Sequence, residues 1–380
     1  MITGPLPDSI IDADIIHISS LLRLLEPWAE EICIISSNLP ENVFSGDKIQ
    51  IKNIKHCSNS RWMFIRILKY IIMELKIGYQ LFKISKKIDI VFFSIGAVDL
   101  FLPMVSAKLM RKKIIFTYPG KDTLKRHSEI IYKEKLFGFG GRIYPLITSI
   151  FEVFNCLLSD KIIANSSNIA QFVWKRYKNK ISIISRFFVD DNHFKIEKDI
   201  TSRRTLVGYV GKFGEVKGII NFIKAIHLIN GDLDAVKFIL CGDGTLRSDI
   251  ERAIKDTKLD NKVTITGWIP HDKLPYYLNE MKLVVIPSYY EVGPQLLLEA
   301  MACGTPVLAT PVGIVPDVIK DNDNGFILGN NSPECIAENV MRVLNYPDLD
   351  RIVKNARELI IKEYTYKAAA ERYRKILENI

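Results

Sequence analysis

The stretch with the most chemical content is Leu283–Thr310, LVVIPSYYEVGPQLLLEAMACGTPVLAT. An apolar run ends at Pro287–Ser288, and a short polar loop carrying Glu291 and Gly293 follows. Pro294 suits the first turn of a helix, where its missing N–H costs nothing, and Gly304 suits the helix end. The pattern predicts a strand, a loop and a helix whose N-terminus faces the carboxyl edge of a parallel sheet, where open α/β folds bind ligands. Exposed N–H groups and the positive end of the helix dipole favour a phosphate at that point. Glu291 stands ahead of the helix and Glu299 lies ~7–8 Å beyond Pro294 along its axis, at 1.5 Å per residue. Two carboxylates flanking an anion site suit one elongated ligand, with hydroxyls at each end and a diphosphate over the helix terminus. A nucleotide sugar is such a ligand.

The elements that must position these groups alternate through the whole chain. Candidate strands in the first half are Ile32–Ser36, Ile88–Ser94, Ile114–Thr117 and Lys161–Ala164. In the second half they are Leu206–Val210, Val236–Leu240, Val263–Thr266, Leu283–Pro287, Pro306–Ala309 and Gly325–Leu328. Longer helical patterns separate them, which predicts α/β architecture with parallel sheets. Each half has strands enough for its own sheet, with a polar, aperiodic join at Ser185–Thr205. The expected layout is an N-terminal Rossmann-like domain over 1–190, a second over 191–363, and a C-terminal helix over 364–380 that packs back toward the first.

With 380 residues, 48% apolar and 25% charged, the chain is neither disordered, collagenous nor disulfide-stapled. Apolar runs break before the ~18–20 residues of a spanning helix, and no export signal opens the chain. The six cysteines are scattered singly, as expected of reduced thiols in a cytosolic protein. The six histidines share no spacing, and each reads as structural or surface-placed. Charge is unevenly spread. Residues 51–150 hold 19 basic against 6 acidic side chains, whereas residues 201–380 hold 23 of each. Such a local field attracts phosphates, nucleic acid or an anionic lipid surface.

Within that basic segment, Arg61–Lys86 reads as one long helix. Phe64, Leu68, Ile72, Leu75, Tyr79 and Phe82 fall on one stripe, with Arg66, Lys69, Lys76 and Lys83 to one side of it. Two readings are open. The helix lies on an anionic membrane surface, or it is an ordinary core-facing helix with a solvated basic flank. The Gly-rich basic stretch KEKLFGFGGR at Lys133–Arg142 reads either as a cover for a phosphate-bearing substrate or as a surface loop.

The pattern Glu291-x7-Glu299, with Gly293-Pro294 inside it and EAMACGTPV following, resembles that of the retaining nucleotide-sugar glycosyltransferases of family 4. GKFGEVKG at Gly211–Gly218 is similar to the family's G-R-L-x-x-x-K-G, with Lys212 in the arginine position and Lys217 at the lysine. LCGDGTL at Leu240–Leu246 resembles its glycine turn, and Gly267–Ile269 and Pro287–Ser288 stand where the family has G-x-V and P-S. The resemblance implies a GT-B fold, two Rossmann-like domains with parallel sheets facing a cleft, the donor bound mainly to the second. By position it implies that Lys212 and Lys217 pair with the donor diphosphate and stabilise the departing charge. Glu291 would hold hydroxyls of the transferred sugar and Glu299 those of the ribose. The N–H groups of Gln295 and Leu296 would cap the phosphates, Ile269 would meet the nucleobase through its main chain, and Gly211, Ser288, Gly293 and Pro294 would complete the donor site.

Members of that family transfer with retention and need no metal or cofactor. The Asp-x-Asp spacings at Asp12/Asp14 and Asp232/Asp234 accordingly read as structural. The first half departs from the family. Only Met1–Ile2 precede Thr3-Gly4-Pro5, so either the first strand is very short or the start of the sequence is late. FTYPG at Phe116–Gly120 offers Tyr118 where a histidine is usual, so the acceptor side falls to Gly4 and Tyr118. The interdomain P-N-G-V-D becomes Arg186-Phe187-Phe188-Val189-Asp190.

The resulting expectation is a retaining hexosyltransferase that takes a UDP- or GDP-sugar and a glycan or lipid-linked acceptor in cell-surface polysaccharide or glycolipid synthesis. It would be cytoplasmic and peripheral on the inner face of the cell membrane. The alternatives are another GT-B nucleotide-sugar enzyme, such as an epimerase, and an inactive family member. A nucleic-acid partner is not expected, because no compact recognition motif accompanies the basic charge.

Overall fold

Runs such as Ile32–Ser37 and Lys113–Tyr118 are short and rich in isoleucine, which packs well on a pleated surface. In the computed structural model such runs build two separate parallel sheets, and these two both lie in the first. The structure describes all residues except 6–11, 40–42, 45, 57–61, 95, 119–143, 172, 174 and 230–234. The Lys133–Arg142 stretch and the Asp232/Asp234 pair therefore lie outside the described residues.

Contacts group Met1–Arg186 and Ala370–Ile380 into one unit and Phe187–Ala369 into another. In the first unit the strands are β1 (Ile2–Pro5), β2 (Ile32–Ser37), β3 (Ile49–Ile54), β4 (Ile90–Phe93), β5 (Lys113–Tyr118), β6 (Lys161–Ala164) and β7 (Ile181–Ile183). Among the described residues they form a parallel sheet in the order β3-β2-β1-β4-β5-β6-β7. The second unit holds β8 (Leu206–Val210), β9 (Lys237–Cys241), β10 (Val263–Gly267), β11 (Leu283–Ile286), β12 (Val307–Ala309) and β13 (Phe326–Ile327), ordered β10-β9-β8-β11-β12-β13. That is the doubly wound order, and its direction reverses between β8 and β11.

Side chains alternate across the second sheet, yet both faces are covered. Phe238, Leu240, Leu283 and Val285 enter one apolar cluster, while Ile239, Cys241, Val284 and Ile286 enter another. Such strands read as continuous apolar runs, which is why they were legible. The Ile2–Pro5 strand is central, with β1 pairing with both β2 and β4. The last helix spans Tyr366–Glu378, and the Arg374 guanidinium near its end lies 5.7 Å from the Trp28 ring. Cys156, Cys241 and Cys303 are free and buried, and Cys33 and Cys335 are free and half-buried.

Three helices of the first unit are α1 (Asp12–Leu25), α2 (Met63–Ile84) and α3 (Leu102–Leu109). The helix anticipated over Arg61–Lys86 is α2, but its stripe does not face the core. Phe64, Leu68, Ile72, Leu75, Tyr79 and Phe82 are all exposed, and the buried side is Met73, Glu74, Ile77, Gly78 and Leu81. This side is fixed by polar and steric complementarity with α3. Glu74, pushed up to about 7 by burial, accepts the Leu102 N–H at 2.6 Å. A Cβ on Gly78 would stand 3.0 Å from the Ser106 hydroxyl. The core-facing reading of the stripe is thereby corrected. Among the described residues no helix is long and apolar enough to cross a membrane.

Candidate active site

Loops leaving β8 and β11 diverge to opposite sides of the second sheet, so a crevice opens at their carboxyl ends. The loop after β8, Gly211–Gly218, is held from beneath by the Gly242–Gly244 turn. Gly211 N–H donates to Cys241 O at 2.9 Å, and Phe213 N–H donates to Asp243 O at 2.8 Å. A Cβ on Gly242 would lie 1.9 Å from Gly211 O, so that turn supports the loop by close backbone approach. At the far end Gly218 has φ +71°, and a Cβ there would meet Pro287 O at 2.0 Å. This contact lays Lys217 against the end of β11.

Lys217 Nζ consequently pairs with the Glu291 carboxylate. The same oxygen accepts the Ser288 hydroxyl at 3.1 Å, and Ser288 O accepts Thr310 Oγ1–H at 2.6 Å. The Glu291–Gly293 loop is clamped on both sides. A Cβ on Gly293 would stand 2.3 Å from the Phe187 ring, and one on Gly313 would stand 2.5 Å from Glu291 O.

The following helix, Gln295–Ala302, has Pro294 as its N-cap (φ −68°, ψ 109°), one position earlier than the sequence suggested. Leu297 N–H donates to Pro294 O at 3.0 Å. Gln295 and Leu296 belong to the first turn, whose N–H groups have no carbonyl four residues back. The Gln295 side-chain amide donates to Phe188 O at 2.7 Å, which fixes the helix start. Cys303 N–H donates to Glu299 O, and Gly304 takes φ +67° to end the helix where expected.

These elements enclose a cavity of about 240 Å³ lined by Gly211, Lys217, Ser288, Glu291, Gly293, Pro294, Gln295, Leu296 and Glu299. The structure therefore gathers most of the second-half residues singled out from sequence around one space. Two it does not bring in. Lys212 is exposed, its carbonyl accepting the Tyr209 hydroxyl at 3.0 Å. Ile269 packs half-buried against the apolar cluster behind the site. In the first unit Gly4 is buried under Gly96, whose carbonyl oxygen a Cβ would approach to 2.0 Å. Tyr118 requires a correction as an acceptor-side group. Its ring is fully buried, its hydroxyl donates to Glu152 Oε1 at 2.9 Å, and burial pushes its pKa up.

One functional group escaped the sequence reading. His271, in the turn after β10, places Nε2 2.8 Å from Glu299 Oε1, and this hydrogen bond raises its pKa. Glu299 itself is 3% exposed, so its carboxylate is aimed between His271 and the cavity. The available signal was placement: His271 follows a strand whose carboxyl end lies on the same sheet edge as Glu299.

Residues 190–359 match the family model of glycosyl transferases group 1. The chain is 32% identical over 178 residues to an alpha-D-kanosaminyltransferase of Streptomyces kanamyceticus, covering 47% of this chain and 46% of that protein. It thus spans about half the length of that relative. A second relative, an uncharacterised glycosyltransferase of Methanocaldococcus jannaschii, is 24% identical over 96% of this chain and 94% of its own. Among solved structures, Anabaena HepE in complex with UDP superposes with a TM-score of 0.71 at 15% identity, over 100% of this chain and 99% of that one. Sucrose-phosphate synthase of Thermosynechococcus elongatus gives 0.72 at 17% identity, over 100% and 98%. With two parallel-sheet α/β units of this topology the chain has the GT-B fold, and its second half matches the glycosyl transferases group 1 module.

Proposed function

We propose that this protein is a retaining glycosyltransferase that moves a hexose from a UDP- or GDP-sugar to a hydroxyl of a glycan or lipid-linked acceptor. The observation that carries the reading is the convergence, at the β8/β11 switch point, of a helix N-terminus, the Lys217–Glu291 pair and the buried Glu299 carboxylate. The cavity is smaller than the ~300–1,000 Å³ of sites that enclose a whole drug-sized ligand, so the ligand is gripped at its middle. The diphosphate lies over the N–H groups of Gln295 and Leu296, where backbone donors and the helix dipole favour negative charge.

Lys217 exchanges Glu291 for the diphosphate and stabilises the charge that develops on the leaving group. Glu291, released from its lysine, accepts hydroxyls of the transferred sugar. Glu299 accepts ribose hydroxyls in competition with His271. Lys212 reaches the diphosphate from its exposed position by side-chain rotation alone. In the retaining step the bond from the anomeric carbon to the phosphate oxygen breaks and that to the acceptor oxygen forms on the same face. The acceptor proton passes to the departing phosphate oxygen. The nucleotide sugar is a substrate, and the route needs no cofactor or metal. Placement in cell-surface polysaccharide or glycolipid synthesis, peripheral on the inner membrane face, completes the reading.

A thermal-shift series with UDP, GDP and ADP tests it. A nucleotide at 100 times its Kd stabilises the protein by ~2.7 kcal/mol. UDP or GDP should do so and ADP should not. Product analysis with the preferred sugar should then give an anomer of unchanged configuration. No response to any nucleoside diphosphate overturns the donor site, and an inverted product overturns retention.

A further inference from the structure

The exposed face of α2 has no role in the chemistry above, and its composition is specific. From Phe64 to Phe82 the helix runs about 27 Å at 1.5 Å per residue. Over that length Phe64, Ile65, Ile67, Leu68, Ile71, Ile72, Leu75, Tyr79 and Phe82 all face solvent. Trp62, 72% exposed, stands just ahead of them. At 100° per residue Ile65, Leu68, Ile72, Leu75 and Tyr79 lie in one band, with Phe64, Ile71 and Phe82 beside it. Lys69, Lys76 and Lys83 all fall on a single flank of that band. The one acid of the helix, Glu74, is on the opposite side, buried and bonded to the Leu102 N–H. Lys86 and Lys87 extend the basic flank into the next turn.

A face of this kind is apolar well past what a water-facing helix tolerates, and large exposed patches mark contact surfaces. Its charge decides between occupants. A second copy of α2 laid against the first would bring a lysine flank with no exposed acid against the same sign. An anionic bilayer brings phosphates to the lysines and a boundary into which the aliphatics can sink. Trp62 and Tyr79 have amphipathic rings suited to the headgroup level, and Lys83 Nζ lies 4.6 Å from the Tyr79 ring centroid, its stem lying along the apolar surface. We infer that α2 is a bilayer-docking helix, which lies in the headgroup boundary of an anionic membrane with its Phe64–Phe82 face down and its lysines on headgroup phosphates. This names the face by which the peripheral placement proposed above is achieved. It does not depend on the transfer chemistry, because α2 and the cavity belong to different units.

The test uses the whole protein in co-sedimentation with vesicles of phosphatidylcholine alone and of phosphatidylcholine with phosphatidylglycerol. The wild type should bind the anionic vesicles and should release as salt rises. Leu75→Ser with Phe82→Ser should lower binding more than about tenfold, since both side chains leave the apolar phase. Lys69→Gln, Lys76→Gln and Lys83→Gln together should lower it on the order of a hundredfold and abolish the preference for anionic lipid. Leu75, Lys76, Phe82 and Lys83 are exposed and Lys69 is half-buried on the flank, so the fold is kept, and an unchanged UDP response in the same variants separates this result from the donor reading. Wild-type protein that ignores anionic vesicles overturns the inference. So does a dimer, seen by sedimentation equilibrium, that the Leu75/Phe82 variant dissociates without any effect on vesicle binding.

Discussion

Helix Gln295–Ala302 and α2 are both rich in large aliphatics, and they turn them in opposite directions. In the first, Leu297, Leu298, Ala300, Met301 and Ala302 are buried, and so is Glu299. A helix enclosed on that many sides can offer chemistry only at its tip and through the one carboxylate that reaches the cavity. In α2 the core takes Met73, Ile77 and Leu81, while nine large apolar side chains face out. Here the flank carries the information. In the function proposed above the first helix is the scaffold of an anion site, whereas the second keeps a further apolar face exposed.

Stability measurements probe this contrast most strongly. Ile77→Ala and Leu297→Ala each remove a fully buried aliphatic and should cost ~2–5 kcal/mol in urea unfolding. Leu75→Ala, two residues from Ile77 and 57% exposed, should stay within about 0.5 kcal/mol. Equal losses at Ile77 and Leu75 would mean that both faces of α2 are packed, and the comparison would collapse.

The catalytic end of the contrast is sharpened by Lys217→Ala. If the ammonium meets developing charge on the diphosphate, transfer should fall on the order of 10²–10³-fold with the fold retained. The partial exposure of the side chain makes a folding defect a small contribution. A rate within threefold or so of wild type would leave Lys217 as a partner of Glu291 and nothing more.

How much of this was legible follows from how far apart the interacting residues lie in the chain. Glu291, Pro294 and Glu299 share one strand–loop–helix unit, so residue type and local geometry sufficed to place them on one cavity. The parallel strands of the second unit, apolar on both faces, announced themselves. The edge strand Ile49–Ile54 did not, because Gln50, Lys52 and Asn53 break its apolar run. Tyr118 stands at the end of a legible strand, but the two-residue period sends it to the same core as Ile114 and Phe116. The stripe on α2 was visible from its period. Which side packs was decided by Gly78 against Ser106 and Glu74 against Leu102 N–H, pairings that no local pattern encodes.

The His271–Glu299 pair is the remaining element of that kind, joined across 28 positions, and it yields the smallest effect. Its hydrogen bond to Glu299, followed by the attraction of the Glu299 and Asp272 charges, holds His271 above its ordinary 6.5 against the opposing pull of burial. A raised folded pKa means that the protonated pair contributes fully below about pH 6.5 and is lost as pH climbs through the folded value. With the His271 side chain 68% exposed, solvent screening keeps that contribution to stability small. Its larger consequence is at the cavity. In the proposed donor site imidazolium and ribose hydroxyls would compete for one carboxylate, so donor affinity should be weakest at acid pH and should rise as His271 deprotonates. His271→Gln removes the competitor's charge and should flatten that rise, bringing the acid-pH Kd toward the value at neutral pH. Titration calorimetry with the preferred nucleotide across this range checks it. An identical pH dependence in wild type and variant would show that Glu299 does not exchange His271 for the ligand.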